Sequence, residues 1–256
     1  MTDSTRQSKL MSRFVVIAGT LALFCSGFCP ADAQVHGSDT ETMLPEVPVA
    51  EPPPPVLSVN LTGASDYIFR GVSQTDNHVA IFGSAKVAYD HFYLAAGGEN
   101  VDFHNGINTE YDLSGGWTPS LTKFDFDLGF IRYGYIGAPA GVSIDTIELH
   151  AAVARTIGPL KLGASFHHAF EYFGTKRPAN YFEGNATYTI VHGLTLRGAI
   201  GRQEIDAGHS FTTWNLGPAY ALNKHVAVGF RYSDTDSHAD GRLYGPHYVG
   251  SVRVGF

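Results

Sequence analysis

From residue 57 onward the chain alternates apolar and polar residues in short runs with a period of two. That period puts successive side chains on opposite faces of an extended strand, and helical spacing at i, i+3, i+4 is absent. Leu57, Val59 and Leu61 oppose Ser58, Asn60 and Thr62, and Phe124, Phe126, Leu128 and Phe130 oppose Lys123, Asp125, Asp127 and Gly129. Val226, Val228, Phe230 and Tyr232 likewise oppose Ala227, Gly229, Arg231 and Ser233. The pattern predicts twelve strands, over 57–71, 79–89, 92–103, 109–118, 123–135, 144–155, 160–173, 180–190, 194–205, 211–220, 225–233 and 247–256.

The connections take turns in length. Short ones fall at Asp90-His91, Pro119 to Thr122, Thr156 to Pro159, Val191 to Gly193 and Ala221 to Lys224; longer ones fall at 72–78, 104–108, 136–143, 174–179, 206–210 and 234–246. Short turns on one side, long loops on the other and an even strand count describe an outer-membrane barrel. The expected fold is therefore all-β: a transmembrane antiparallel up-and-down β-barrel of about 12 strands, with 10 or 14 as alternatives. Pro218 keeps the count open, because a proline removes a ladder hydrogen bond and every strand of a closed barrel is central. The strand either bulges there or ends earlier.

The last segment presents Tyr248, Val252, Val254 and Phe256 on one face and Val249, Ser251, Arg253 and Gly255 on the other. It resembles the final strand of bacterial outer-membrane barrels, in which a terminal Phe is part of what the assembly machinery recognises. At the other end Arg6, Lys9 and Arg13 precede an apolar run from Phe14 to Phe28, and Ala31-Asp32-Ala33 offers a cleavage site. That run is shorter than the roughly 20 residues of a spanning helix, so residues 1–33 are expected to be a removed signal peptide. Both cysteines, Cys25 and Cys29, lie within it. Neither disulfide nor thiol chemistry is then available to the exported chain. Residues 34–56 are crowded with Pro45, Pro48 and Pro52 to Pro55 and carry acidic but no basic residues, as expected of a solvated periplasmic linker. Residues 57–256 form the barrel.

The net charge of −7 argues against a nucleic-acid partner, and the 17 Phe and 13 Tyr suit a membrane wall. The expected partners are outer-membrane lipid and lipopolysaccharide, the barrel-assembly machinery and small polar solutes, in a Gram-negative envelope.

The first segment runs Ser65-Asp66-Tyr67-Ile68-Phe69-Arg70-Gly71-Val72-Ser73-Gln74-Thr75-Asp76. With Ala80, Gly83 and Tyr232-Ser233-Asp234-Thr235-Asp236, it resembles a proteobacterial family of conserved outer-membrane proteins of unknown function, Gcw_chp. Val79 departs from it at a place where a proline is expected. The resemblance implies a barrel and an envelope location, over about 57–256, and supplies no substrate or catalytic residue.

Inward charges are expected to segregate. Arg70, Lys86, Arg231 and Arg253 lie on the strands flanking the closure and form a basic wall, with Arg253 near Arg70. Asp66 shares the inward face with Arg70, roughly 13 Å along the strand. Glu99, Glu110, Asp112, Asp125, Asp127, Glu148, Glu171 and Glu183 complete an acidic wall, with Lys161 and Arg197 as interruptions. Opposed walls across a narrow lumen screen polar solutes; alternatively the charges neutralise one another and plug it.

Ser165, His167 and Glu171 share a face, but His167 and Glu171 are roughly 13 Å apart along a strand, beyond a triad's reach. A cross-strand Glu148 or His150 could repair that. No catalysis is expected. Asp234, Asp236, His238 and Asp240 have calcium-loop spacing, but Ala239 stands where such a loop needs glycine, so a solvated outer loop is expected. With no zinc spacing or phosphate loop, neither metal nor cofactor is expected. The expected function is a narrow porin-like channel, then a plugged structural or adhesive barrel, then a membrane hydrolase.

Overall fold

The structure, a computed structural model, describes residues 54–256; the expected signal peptide and nearly all of the linker lie outside them. Twelve long strands run up and down: β1 (Val56–Ala64), β2 (Ala80–Tyr89), β3 (Phe92–Asn100), β4 (Thr109–Trp117), β5 (Phe124–Ile136) and β6 (Thr146–Ile157). They continue as β7 (Leu160–Ala169), β8 (Ala179–Val191), β9 (Leu194–Ile205), β10 (Phe211–Ala221), β11 (Val226–Thr235) and β12 (His247–Gly255). Each pairs antiparallel with the next, and β12 returns to β1 through Asn60–Gly255 to Ala64–Ser251, closing the barrel. Closure leaves no free edge, so every strand has a ladder partner on both sides.

Alternation sorts the faces as expected. Leu57, Leu94, Ile147, Ile200, Phe230 and Tyr248 stand outward and exposed, an apolar band that water alone would not favour. Pro218 neither ends β10 nor bulges it. Its partners on β9 keep register through Leu196–Pro218. Toward β11 the ladder skips Gly217 and Pro218 but resumes unshifted at Ala219–Gly229.

The departures from expectation are at the long-loop end. The first segment was expected to reach residue 71, yet β1 stops at Ala64; the third and seventh stop at Asn100 and Ala169. Of the excess residues Tyr67, Phe69, Val101, Tyr172 and Phe173 are buried inside the barrel, whereas Phe170 and Glu171 stay exposed. The largest buried cluster, including Tyr67, Phe69, Val72, Tyr133, Tyr172, Phe173, Phe211 and Tyr244, therefore lies inside the long-loop half of the lumen.

Candidate functional site

After Ala64 the chain leaves the wall because its polar side chains find better partners inside. The Asp66 carboxylate accepts hydrogen bonds from the hydroxyls of Ser73 (2.7 Å) and Thr75 (2.8 Å). Those bonds close a hairpin in which Ile68–Phe69 pairs with Val72–Ser73. Its turn uses positive φ at Arg70 (44°) and Gly71 (85°). At Gly71 a Cβ would fall 2.3 Å from Thr213 Oγ1 and 2.5 Å from Thr235 Cγ2, so glycine is required both for conformation and for room. The hairpin tip is thus docked on β10 and β11, and the two stretches carrying the family resemblance touch.

From that turn Arg70 reaches across the lumen. Its Nη2 and Nη1 donate to Glu148 on β6 at 2.6 and 3.0 Å, and Nη1 donates to Gln203 on β9 at 2.8 Å. The guanidinium also lies 4.2 Å from the Tyr181 ring centre and 4.5 Å from that of Phe69. Glu148 and Gln203 are 1% and 0% exposed. A fork-to-carboxylate pair buried this deeply is stable only because both oxygens are satisfied. Tyr133 adds a longer contact to Glu148 at 3.4 Å. Phe173 packs on Phe69 and Tyr133, completing a cross-lumen layer.

Above that layer the hairpin is tied to the last long loop. Asp76 accepts hydrogen bonds from Arg242 and from His104, the latter at 2.8 Å. Burial raises the Asp76 carboxyl, but these two partners outweigh it and hold the group below the ordinary carboxylate range. Asp236 is also held low: burial raises it, and hydrogen bonds from Thr212 more than compensate.

Below the layer, toward the short turns, the lumen is polar and accessible to solvent. Lys86, Asp125, Asp127, Lys161, Glu183, Arg197, Arg231 and Arg253 are all partly or fully exposed there. Asp127 receives Tyr93 (3.2 Å) and contacts His150 (3.0 Å), and Lys86 lies 4.1 Å from the Tyr93 ring centre. Glu183 accepts from Tyr181 (3.0 Å) and Asn185 (3.1 Å). Gly217, the β10 partner of Arg197, is so close to β11 that a Cβ would meet Arg231 Cα at 2.7 Å.

A third group sits where β3 meets β4. Glu99 and Glu110 are register partners, and Asp112 follows on the same face. One carboxylate oxygen from each lies within 4.8 Å of the others, and all three residues are buried.

Four expected placements need correction. Arg70 and Asp66 are not four apart on the inward face of a strand; both belong to the inserted hairpin, where Asp66 acts as an internal anchor. Arg70 does not stand beside Arg253. The β1 partner of Arg253 is Thr62, while Arg70 binds strands six and nine. Glu171 lies beyond the end of β7, is exposed, and is not lumen-lining. Arg197, read as an interruption, instead shares the basic region with Arg231. Gln203, Thr213 and Thr235 were missed, for their roles depend on what the hairpin brings to them.

His167 does meet a cross-strand carboxylate, with Nδ1 3.5 Å from Glu148. That carboxylate is already taken by Arg70, and Ser165 lies in the next row, between Ala152 and Glu183. The aspartates of the last long loop diverge to separate partners: Asp234 to Tyr232 and His238, Asp236 to Thr212, Asp240 to His209. They form no calcium loop.

The fold is similar to that of solved outer-membrane porins. KdgM porin aligns with a TM-score of 0.57 at 11% identity, over 78% of this chain and 99% of that one. NanC porin aligns with a TM-score of 0.51 at 11% identity, over 78% and 98%. At such identity the likeness establishes the fold alone. No curated protein sequence matches. A family model, described as a bacterial protein of unknown function (Gcw_chp), matches residues 50–252. With the hairpin and last-loop motifs now seen in contact, and most of the chain matched, this barrel belongs to the Gcw_chp family.

Proposed function

We propose that the protein is a narrow outer-membrane channel for small polar or charged solutes, constricted by its own first long loop. The observation that carries the reading is the change in lumen environment along the axis. The charged side chains of the short-turn half are partly exposed, with Asp125 and Lys161 fully so, whereas Arg70 and Glu148 are buried. A wet vestibule ending at a polar, ion-paired constriction suits a selective passage better than a barrel filled throughout. Arg231 and Arg253 on β11 and β12 oppose Asp125 and Asp127 on β5, which gives the vestibule a transverse field, while Glu183 on β8 neighbours the β9 strand of Arg197. In this reading both described chain ends face the periplasm, the signal peptide is cleaved near Ala33, and Tyr248, Val252, Val254 and Phe256 serve recognition by the assembly machinery.

A second reading, a plugged structural or adhesive barrel, is favoured by the number of hydrogen bonds holding the hairpin. Planar-bilayer recordings separate the two. The channel reading expects discrete small conductance steps from the wild-type protein. If neither the wild type nor a variant with a dislodged hairpin, Gly71→Ala, conducts at any voltage, the channel reading fails.

A further inference from the structure

We propose that Glu99, Glu110 and Asp112 form a binding site for a divalent cation of the calcium class, clamping β3 and β4 beneath the inserted hairpin. The three residues are 3%, 0% and 5% exposed. Packing three carboxylates together in a closed space is costly unless something positive, or protons, joins them.

Proximity is not the whole case. Both carboxylate oxygens of Glu99 and both of Asp112 are buried without any hydrogen-bond donor. Four orphaned acceptors in one buried cluster are a strong departure from the rule that buried polar atoms are paired. Arg70, the buried cation of the cross-lumen layer, is committed to Glu148 and Gln203. The donor set is entirely hard oxygen, which suits calcium or magnesium rather than zinc or copper. Three oxygens within 4.8 Å of one another lie no more than about 2.8 Å from a common centre, so movements of a few tenths of an ångström bring all three to the roughly 2.3–2.6 Å of calcium ligands.

A route exists. An open cleft of about 480 Å³ lies where β3 and β4 are joined, lined by Thr75, Asn100, Val101, Asp102, Ile107 and Asn108. Its lining starts one residue past Glu99 and ends two before Glu110. The site also touches the hairpin, since the Tyr67 hydroxyl contacts Glu110 at 3.4 Å. Bound cation would therefore fix the hairpin as well as the strands.

The test uses the full chain refolded in detergent and stripped with EDTA, with terbium as a luminescent calcium substitute. Tyrosine excitation should give sensitised terbium emission that saturates at one ion per chain and is displaced by calcium. Glu99→Gln and Asp112→Asn, checked for folding by heat-modifiable migration, should each weaken binding about tenfold or more, since ligand charge sets affinity in such sites. If those variants do not fold, Tyr67→Phe should retain calcium-displaceable terbium binding with reduced emission, which places the ion beside Tyr67. No emission from folded wild type, or emission unchanged in all the variants, overturns the proposal and leaves three carboxyls sharing protons.

Discussion

Arg70→Ala removes a side chain that reaches across the lumen, and its cost follows from what is left behind. Glu148 loses two donors, at 2.6 and 3.0 Å, while remaining sealed on β6. Gln203 loses its 2.8 Å partner, and Tyr181 loses a cation over its ring. Breaking a buried ion pair from one side costs about 3–5 kcal/mol, mainly because the remaining charge stays buried without compensation. An exposed pair would cost under about 1 kcal/mol. With the Arg70 and Glu148 side chains 4% and 1% exposed, the first figure applies. Adding Glu148→Gln removes the stranded charge and leaves a neutral amide, whose unmet hydrogen bonds cost about 1–3 kcal/mol. The double variant should therefore be more stable than Arg70→Ala alone. Urea unfolding in lipid micelles, followed by tyrosine and tryptophan fluorescence, reads both quantities. An Arg70→Ala cost below about 1 kcal/mol would show a solvated pair. A double variant no better than Arg70→Ala would mean that the stranded charge was never the cost. Either result refutes the buried-constriction argument.

Gly71→Ala should dislodge the hairpin, because the new Cβ meets Thr213 and Thr235 and the backbone has positive φ. A loss of at least about 1–3 kcal/mol and larger conductance steps are expected, read by unfolding and in planar bilayers. For Asp76 the sign is set by a folded carboxyl held below its ordinary value of about 3.9. Its contribution is complete above that value and fades as pH falls through the lower folded one. Limited proteolysis of the first long loop should therefore begin below pH ~4, and Arg242→Ala should shift its onset upward. Arg197→Ala with Arg231→Ala should shift the reversal potential toward cation preference in a salt gradient; an unmoved potential would show that these residues do not border the ion path.

Most of the wall was legible because lipid and lumen impose opposite demands on successive residues. β2, β9 and β10 lie within a residue of the predicted runs, whereas the bulge or early end expected at Pro218 is absent and only its ladder toward β11 is interrupted. The reading failed where a segment alternates for another reason. Residues 65–71 alternate because the hairpin has one face in the aromatic cluster and another on polar partners, a pattern that period two cannot distinguish from a wall strand. Local chemistry did hold a clue: Arg70-Gly71 followed by Ser73, Thr75 and Asp76 is turn vocabulary. Inward orientation was recoverable for Glu148, Glu183, Arg231 and Arg253. The pairing of Arg70 with Glu148 was not, because it depends on how closure brings distant strands face to face.

The hairpin also constrains the order of assembly. Residues 65–78 precede almost the whole wall, yet Arg70 binds partners 78 and 133 positions later, and Gly71 rests on β10 and β11. Contacts so distant in sequence carry a large loop-closure entropy and form late. The constriction cannot set until β6, β9, β10 and β11 are in place. The nascent barrel therefore passes through a stage with an unblocked lumen, and the first loop made is the last to find its seat.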